Sequence, residues 1–374
     1  MTTVMKASGS AEFLGLVPAL AGFTPTRSIV LTPFEGKRTY GALRIDLPDD
    51  DPTAFAEGAV DLIARVERID ALAVVVYTEE HAQPTRDGLV LPHGVVVDEL
   101  LSAAEDRRLG IVDALCVTPD GWASYLDDEP SLHALDTIRV VDPTPDASDV
   151  RGDQSAGTEL ADFGLLMTER VGRASIVLED VICRARMGRE AEVEHEHPEA
   201  VAAASLLDDI PALFEAAMDL PDDPPPYVCA ALLWLLERPL YRDVALMQWA
   251  GDLAVGRRTL ASQITHHDAG TLPGDGAFDT MIGEGPRPSI PRLHAALRTV
   301  RTLAALAPRR KRIGPLALAA WLSWALRRPS HSELYLAVVR AIAPEYSFGR
   351  LLNDLMVARP LPAWAFDRRM DDAA

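Results

Sequence analysis

Residues 71–77 read Ala-Leu-Ala-Val-Val-Val-Tyr, an uninterrupted apolar run with three adjacent valines. Such a run is typical of a strand that is covered on both faces, whereas a strand with one wet face alternates apolar and polar residues. We therefore expect residues 71–77 to form an inner strand of a sheet that is covered by helices.

The segments on either side of this run alternate between short strands and amphipathic helices. The predicted strands are Ser28–Leu31, Arg38–Leu47, Ile111–Val117 and Trp122–Tyr125, and the predicted helices are Pro52–Arg68 and Gly94–Arg108. With the run at 71–77, the order is β-β-α-β-α-β-β. This order predicts an α/β domain with a mixed sheet and covering helices.

The second half of the chain has a different pattern. Residues 127–153 are rich in Asp, Pro and Ser and show little periodicity, which predicts a linker or a flexible loop. Beyond them the pattern favours helices at about 158–170, 175–187, 199–220, 227–237, 240–255, 290–307, 314–327, 331–342 and 347–358. The predicted organisation is an α/β domain at 1–126, an acidic linker at 127–153 and an all-α domain at 154–374, partly tetratricopeptide-like at its C-terminal end.

Length and composition exclude several classes of protein. The chain has 374 residues, 48% of them hydrophobic, which favours two globular domains over a disordered chain. Its three cysteines are too scattered for a disulfide framework or a four-thiolate zinc site, so we expect no bound metal. Residues 1–10 lack the apolar block of a secretory signal, and the apolar runs 228–236 and 314–326 are too short to cross a membrane. We expect a cytoplasmic protein that does not contact a membrane.

Several spaced motifs resemble an actinobacterial family known as domain of unknown function 4192. The resemblance is carried by Val17–Val30 (VPALAGFTPTRSIV), Leu43–Pro48 (LRIDLP), Asp113–Leu115, Gly121–Tyr125 (GWASY) and the helix pair Ala317–Tyr346. Many members of that family follow the last of these strand motifs with a cysteine cluster, whereas this chain has Leu126–Ser131 (LDDEPS) there. The resemblance implies no established activity, and the departure removes the thiolates that a metal or redox role would need.

No motif in the chain assigns a catalytic residue or a cofactor. The sequence lacks the phosphate-binding G-x-x-x-x-G-K-[ST] loop, the dinucleotide-binding G-x-G-x-x-G loop and the G-x-S-x-G turn that carries a nucleophilic serine. Two histidine clusters, Glu194–His197 and His266–Asp268, have the wrong spacing for one metal ion on a helix. We interpret both clusters as solvated surface.

One candidate ligand site lies on the first predicted hairpin. Arg44 and Asp46 are two residues apart on a strand and share a face, and Ser28 starts the neighbouring strand. Together these three side chains could bind a polar ligand and support an enzyme of unknown reaction. The alternative is an ion pair that covers a sheet edge, with Ser28 capping a turn.

A basic segment is the main departure from the acidic balance of the chain. The formal net charge is −20, yet ten basic and no acidic residues lie between Pro286 and Arg328. The candidate partner-binding residues in this segment are Arg292, Arg298, Arg301, Arg309, Arg310, Lys311 and Arg312. They could contact an acidic protein partner, another copy of the chain, a phosphorylated ligand or nucleic acid, or pair with acidic residues of their own chain.

These observations favour a non-catalytic binding or assembly protein. Its Arg-rich helical surface would contact an acidic protein or a second subunit. An enzyme with a site at Ser28, Arg44 and Asp46 is the alternative. A nucleic-acid-associated regulator is the weaker alternative, because the rest of the chain would repel a long polyanion.

Overall fold

The computed structural model describes residues 7, 9–39, 41–66, 68–86, 88–139, 152–189, 194–270, 276 and 278–366. These residues form two compact units. One contains the described residues up to Ala156 together with Phe366, and the other is Gly157–Ala365. The first unit is built around a sheet and the second is helical, which confirms the predicted fold class. Residues 140–151 of the predicted linker lie outside the described residues.

The first unit contains a five-stranded sheet and a separate two-stranded ribbon. The strands are β1 (Ser28–Phe34), β2 (Leu43–Asp46), β3 (Ala71–Tyr77), β4 (Gln83–Thr85), β5 (Gly88–Val90), β6 (Gly110–Thr118) and β7 (Gly121–Ser124). The sheet has the order β2-β1-β3-β6-β7, and β4 pairs with β5 in the ribbon. In the sheet β3 and β6 are parallel and the other neighbours are antiparallel, so the sheet is mixed as predicted.

Helices cover both faces of this sheet. They are α1 (Ser10–Ala21), α2 (Pro52–Ile63) and α3 (Gly94–Asp106). Alternate residues of β3 point to opposite faces: Val74 packs in the core beneath α2 and α3, and Val75 packs against α1. This double coverage explains why the run at 71–77 is apolar without alternation.

The second unit is a helical array. Its helices are α4 (Gly164–Arg186), α5 (Pro198–Ser205), α6 (Ile210–Ala216), α7 (Pro226–Leu236), α8 (Pro239–Ala250), α9 (Leu253–Ala269), α10 (Ile290–Leu306), α11 (Ile313–Ala325), α12 (Pro329–Ile342) and α13 (Ser347–Ala358). The segments expected at 158–170 and 175–187 are one helix, α4, which continues through Gly172. A further helix, α9, occupies a stretch in which no helix was predicted beyond residue 255.

The core of the second unit is centred on α11, and α10 and α12 both pack against it. Every residue of α11 from Gly314 to Ala325 is buried. The indole N–H groups of Trp321 and Trp324 donate to the carbonyls of Met281 and Arg359, at 2.8 and 3.0 Å, so these tryptophans are satisfied core residues. Across the described residues, no helix combines the length and the apolar character that crossing a bilayer requires. The tetratricopeptide-like character of the C-terminal helices stays a prediction.

Candidate functional site

The hairpin of β1 and β2 places the three predicted ligand-binding residues on one face of the sheet. Ser28 is the register partner of Asp46, and Val30 is the partner of Arg44. Ser28 and Val30 alternate with the β1 residues that face α2 and α3, and Val30 packs in the core beneath α1. Arg44 and Asp46 likewise alternate with β2 residues that pack beneath α2 and α3, so all three side chains lie on the α1 side.

The contacts of these three residues differ in kind. The guanidinium of Arg44 forms an ion pair with the carboxylate of Asp46, and the Asp46 side chain is 64% exposed. Ser28 is fully buried, and its hydroxyl has no hydrogen-bond partner among the described residues. An ion pair at the edge strand β2 covers the sheet edge. The structure therefore brings Arg44 and Asp46 together, whereas the Ser28 hydroxyl bonds to neither of them.

A second polar arrangement lies where the parallel strands β3 and β6 end. The hydroxyl of Thr78 is 3.1 Å from Nε2 of His93, and a carboxylate oxygen of Glu80 is 3.6 Å from the same nitrogen. A hydroxyl–imidazole–carboxylate triad requires the carboxylate on Nδ1, so this arrangement does not activate the Thr78 hydroxyl as a nucleophile. Next to it, Nδ1 of His81 lies 2.6 Å from a carboxylate oxygen of Asp120 on the surface.

Buried thiols offer no alternative nucleophile. Burial raises the pKa of Cys116 to about 11 and that of Cys229 to about 12. Both thiols therefore stay protonated at neutral pH, whereas the thiolate is the reactive form. Among the described residues, no group of three or more His, Cys, Asp or Glu side chains is arranged to hold a metal ion.

Several cations of the basic segment are held by groups of their own unit. Arg292 pairs with Glu215 at 2.6 Å, and this bond is the main reason why the pKa of Glu215 is lowered. Lys311 pairs with Glu179 at 2.7 Å and with Glu237 at 3.1 Å. Arg312 donates through Nε to the carbonyl of Ala307 at 2.9 Å. These three cations contribute to packing within the helical unit.

The other predicted partner-binding residues are placed differently. Arg298, Arg309 and Arg310 are exposed and form no ion pair with a residue that the structure describes. Arg301 is half-buried and donates to the carbonyl of Glu159 at 2.6 Å. Three of the seven candidate residues are thus held within the helical unit, and Arg301 is held by one backbone carbonyl. The charges of the other three are available to a ligand.

An open groove of about 490 Å³ runs along α4. The residues that line it, and that define the α4 groove below, are Leu165, Thr168, Glu169, Gly172, Arg173, Ile176 and Pro308. Leu165 is 90% exposed and Ile176 is 69% exposed. Pro308 closes one side of the groove. It packs closely against α4 at Gly172, where a Cβ would lie 3.3 Å from Cγ of Pro308.

Basic residues flank this groove. Arg309 and Arg310 follow Pro308 in a 3-10 turn that ends at Arg312. Lys311 of the same turn reaches Glu179 on α4, so the turn lies along α4 between Gly172 and Glu179, beside Ile176. Glu169 and Arg173, which also line the groove, form an ion pair at 3.5 Å. The groove therefore has an apolar floor with a basic edge.

The apolar half of this surface was not among the predicted sites. The lining residues of α4 recur at helical spacing, at 165, 168, 169, 172, 173 and 176, and this spacing is visible in the sequence. The stripe was missed because it crosses the gap between the two helices predicted at 158–170 and 175–187.

The chain matches the family described as Domain of unknown function (DUF4192) over residues 11–272. This range includes the sheet, α4 and the family motifs that lie in the α/β unit, and it ends before the basic segment. No curated protein and no solved structure is significantly similar to the chain. Because the match covers well over half of the residues, the chain belongs to the DUF4192 family.

Proposed function

We propose that this protein is a non-catalytic binding protein that docks an acidic, amphipathic helix of a partner protein in the α4 groove. The observation that carries the proposal is the exposure of Leu165 and Ile176 beside two arginines, Arg309 and Arg310, that form no ion pair with a described residue. Exposed apolar patches with a polar rim are typical of protein interaction sites.

The chemistry of the groove matches a helix better than an extended peptide. An amphipathic helix inserts apolar side chains at i, i+3, i+4 and i+7 into a groove, with its polar residues outside. Burying one leucine or isoleucine side chain contributes about 1.5–3 kcal/mol. Carboxylates along the edge of such a helix would pair with Arg309 and Arg310 and fix its orientation.

The apolar floor also favours a protein over nucleic acid, because a phosphate backbone has no group that would cover Leu165 and Ile176. The proposed occupant is a separate partner, and a second copy of the chain, itself of net charge −20, is the alternative. Light scattering at low and high salt tests this choice. We expect the mass of a single chain at both salt concentrations, and a stable, salt-sensitive assembly would contradict the separate partner.

Site-specific crosslinking tests the docking itself. A photoreactive side chain replaces Ile176, the adducts are formed in the cells that naturally contain the protein, and the crosslinked peptide is sequenced. We expect an acidic segment with helical apolar spacing. The double variant Arg309→Glu/Arg310→Glu should reduce the adduct by at least about tenfold, which corresponds to a loss of about 1.4 kcal/mol of binding free energy.

The control is Arg170→Glu/Arg258→Glu, which makes the same charge change at two exposed arginines outside the groove. It should leave the adduct unchanged. Crosslinking to a basic or unstructured segment, or equal adducts in both double variants, would contradict the proposal.

A further inference from the structure

We propose that α10 and α12 together form a binding site for the phosphoryl group of a small ligand. The site consists of two stripes of side chains, His294, Arg298 and Arg301 on α10, and Arg328, His331 and Tyr335 at the start of α12. These six residues are called the α10–α12 site below. The site goes beyond the proposed docking function, because it shares no residue with the α4 groove.

Helical spacing aligns the residues within each stripe. His294, Arg298 and Arg301 are at positions i, i+4 and i+7 of α10, which lie on one face of a helix. Arg328 precedes α12, and His331 and Tyr335 follow it by three and seven residues. Both helices pack against α11, and the charges of the first stripe act on the groups of the second.

The charges of the two stripes act on each other across the two helices. Burial lowers the pKa of Arg328, and the charge of Arg301 lowers it further. Burial also lowers the pKa of His331 to about 4, with Arg328 and Arg301 adding to the effect. The pKa of His294 is lowered by burial and by Arg328 and Arg298. Arg301 and Arg328 thus lie close enough for their charges to oppose each other, and Arg298 and Arg328 both act on His294.

Acidic groups neutralise little of the positive charge of the α10–α12 site. Arg301 donates to the backbone carbonyl of Glu159, and the Glu159 carboxylate accepts from the backbone N–H of Gly157 at 3.0 Å. Glu159 is the one carboxylate among the charges that act on His331 and Tyr335. The site therefore carries excess positive charge, which an anion would neutralise.

An unused hydrogen-bond donor points to the same conclusion. Tyr335 is 3% exposed, and its hydroxyl O–H has no acceptor among the described residues, although the Arg301 guanidinium lies close enough to act on the hydroxyl oxygen. Nε of Arg301 is also buried without a partner. Leaving a buried polar group unsatisfied destabilises the fold by about 1–3 kcal/mol, so such groups at a cationic site suggest a missing ligand.

The donor set fits a phosphoryl group. Guanidinium groups present forked donors that match phosphate oxygens, and the Tyr335 hydroxyl would supply a further donor. Arg298 and Arg328 are exposed to solvent, whereas Tyr335 and His331 are buried. The net charge of −20 disfavours a long polyanion, so we infer a small phosphorylated ligand.

Calorimetric titration with pyrophosphate and with inorganic phosphate tests the site, in chloride buffer of matched ionic strength. We expect the full-length protein to bind pyrophosphate and its unfolding midpoint to rise. Arg298→Gln/Arg328→Gln should weaken binding by at least about tenfold, as expected when charge-assisted hydrogen bonds are lost. The control Arg170→Gln/Arg258→Gln should bind like the unmodified protein.

Tyr335→Phe separates a ligand-binding role from a structural one. Without ligand the unfolding midpoint should stay the same or rise, because an unsatisfied hydroxyl is removed; pyrophosphate binding should weaken by about threefold or more. Equal binding by Arg298→Gln/Arg328→Gln and its control would overturn the site. Tighter binding of a single-stranded oligonucleotide than of pyrophosphate, lost in Arg298→Gln/Arg328→Gln, would overturn the small ligand in favour of nucleic acid.

Discussion

The imidazole of His331 makes the stability of the helical unit dependent on pH. It is 8% exposed, and burial together with Arg328 and Arg301 lowers its pKa to about 4. In the unfolded chain the pKa is about 6.5. Between these values the unfolded chain binds a proton that the folded chain does not, so stability is complete above pH 6.5 and is lost as the pH falls towards 4.

We therefore expect acidification from pH 7 to pH 5 to lower the free energy of unfolding by about 2 kcal/mol through His331. Denaturant titrations at the two pH values, in buffer without phosphate, measure this change. His331→Gln should lose most of this dependence, and His267→Gln, at an exposed position of α9, should retain it. The same pH dependence in all three proteins would show that His331 is not protonated on unfolding in this range.

The positions of individual site residues were predictable only where one element carried them. Strand alternation places Arg44 and Asp46 on one face, and helical spacing aligns Arg298 with Arg301. Nothing in the local sequence shows that Arg292 meets Glu215, because the partners are 77 residues apart. For the same reason Tyr335 could not be connected with Arg301 before the helices were seen to pack on α11.

At the scale of the element, Gly256 lets α9 pack closely against α8. A Cβ at this position would overlap Oε1 of the fully buried Gln248. The amide nitrogen of Gln248 donates to the carbonyl of Pro211 and to Glu215, at 2.8 and 2.9 Å. Because Glu215 also binds Arg292, a shift of Gln248 would disturb contacts between α6, α8 and α10.

Gly256→Ala should therefore lower the free energy of unfolding by about 1–3 kcal/mol, as overpacking does in a filled core. In an exposed helix the same change is normally stabilising. Gly58→Ala on α2 is the control, since its Cβ would meet no atom within 4 Å. Thermal unfolding of both variants provides the comparison, and a midpoint for Gly256→Ala at or above that of the unmodified protein would contradict the close packing.

Elements with an unbroken apolar pattern were predicted well, and those with mixed patterns were not. The run at 71–77 coincides with β3, because a strand covered on both faces has no polar position. In α4 the predicted helices left a gap around Gly172, where the close approach of Pro308 favours a residue without a side chain. Of the α9 residues whose burial the structure describes, only Gly256 and Thr259 are buried, so the helix lacks the apolar stripe on which its prediction depends.

At the scale of the whole molecule, each unit has its own core. The core of the helical unit contains five of the six tryptophans of the chain, and Trp122 lies in the α/β unit. Trp249, Trp321 and Trp324 are fully buried within the helical unit. A core that is complete within one unit should form without the other.

We expect residues 157–365, produced alone, to fold and to unfold cooperatively in denaturant. The tryptophan emission should be as blue-shifted as that of the full chain, because the environments of these indoles are supplied within the unit. Fluorescence and far-ultraviolet circular dichroism should give coincident transitions, the mark of a single cooperative unit. Residues 157–345, which lack α13 and Trp364, serve as the control and should lose this cooperativity, since Phe348, Leu352 and Trp364 pack in the same core. Emission typical of exposed tryptophan from the 157–365 fragment would show that its core depends on the α/β unit.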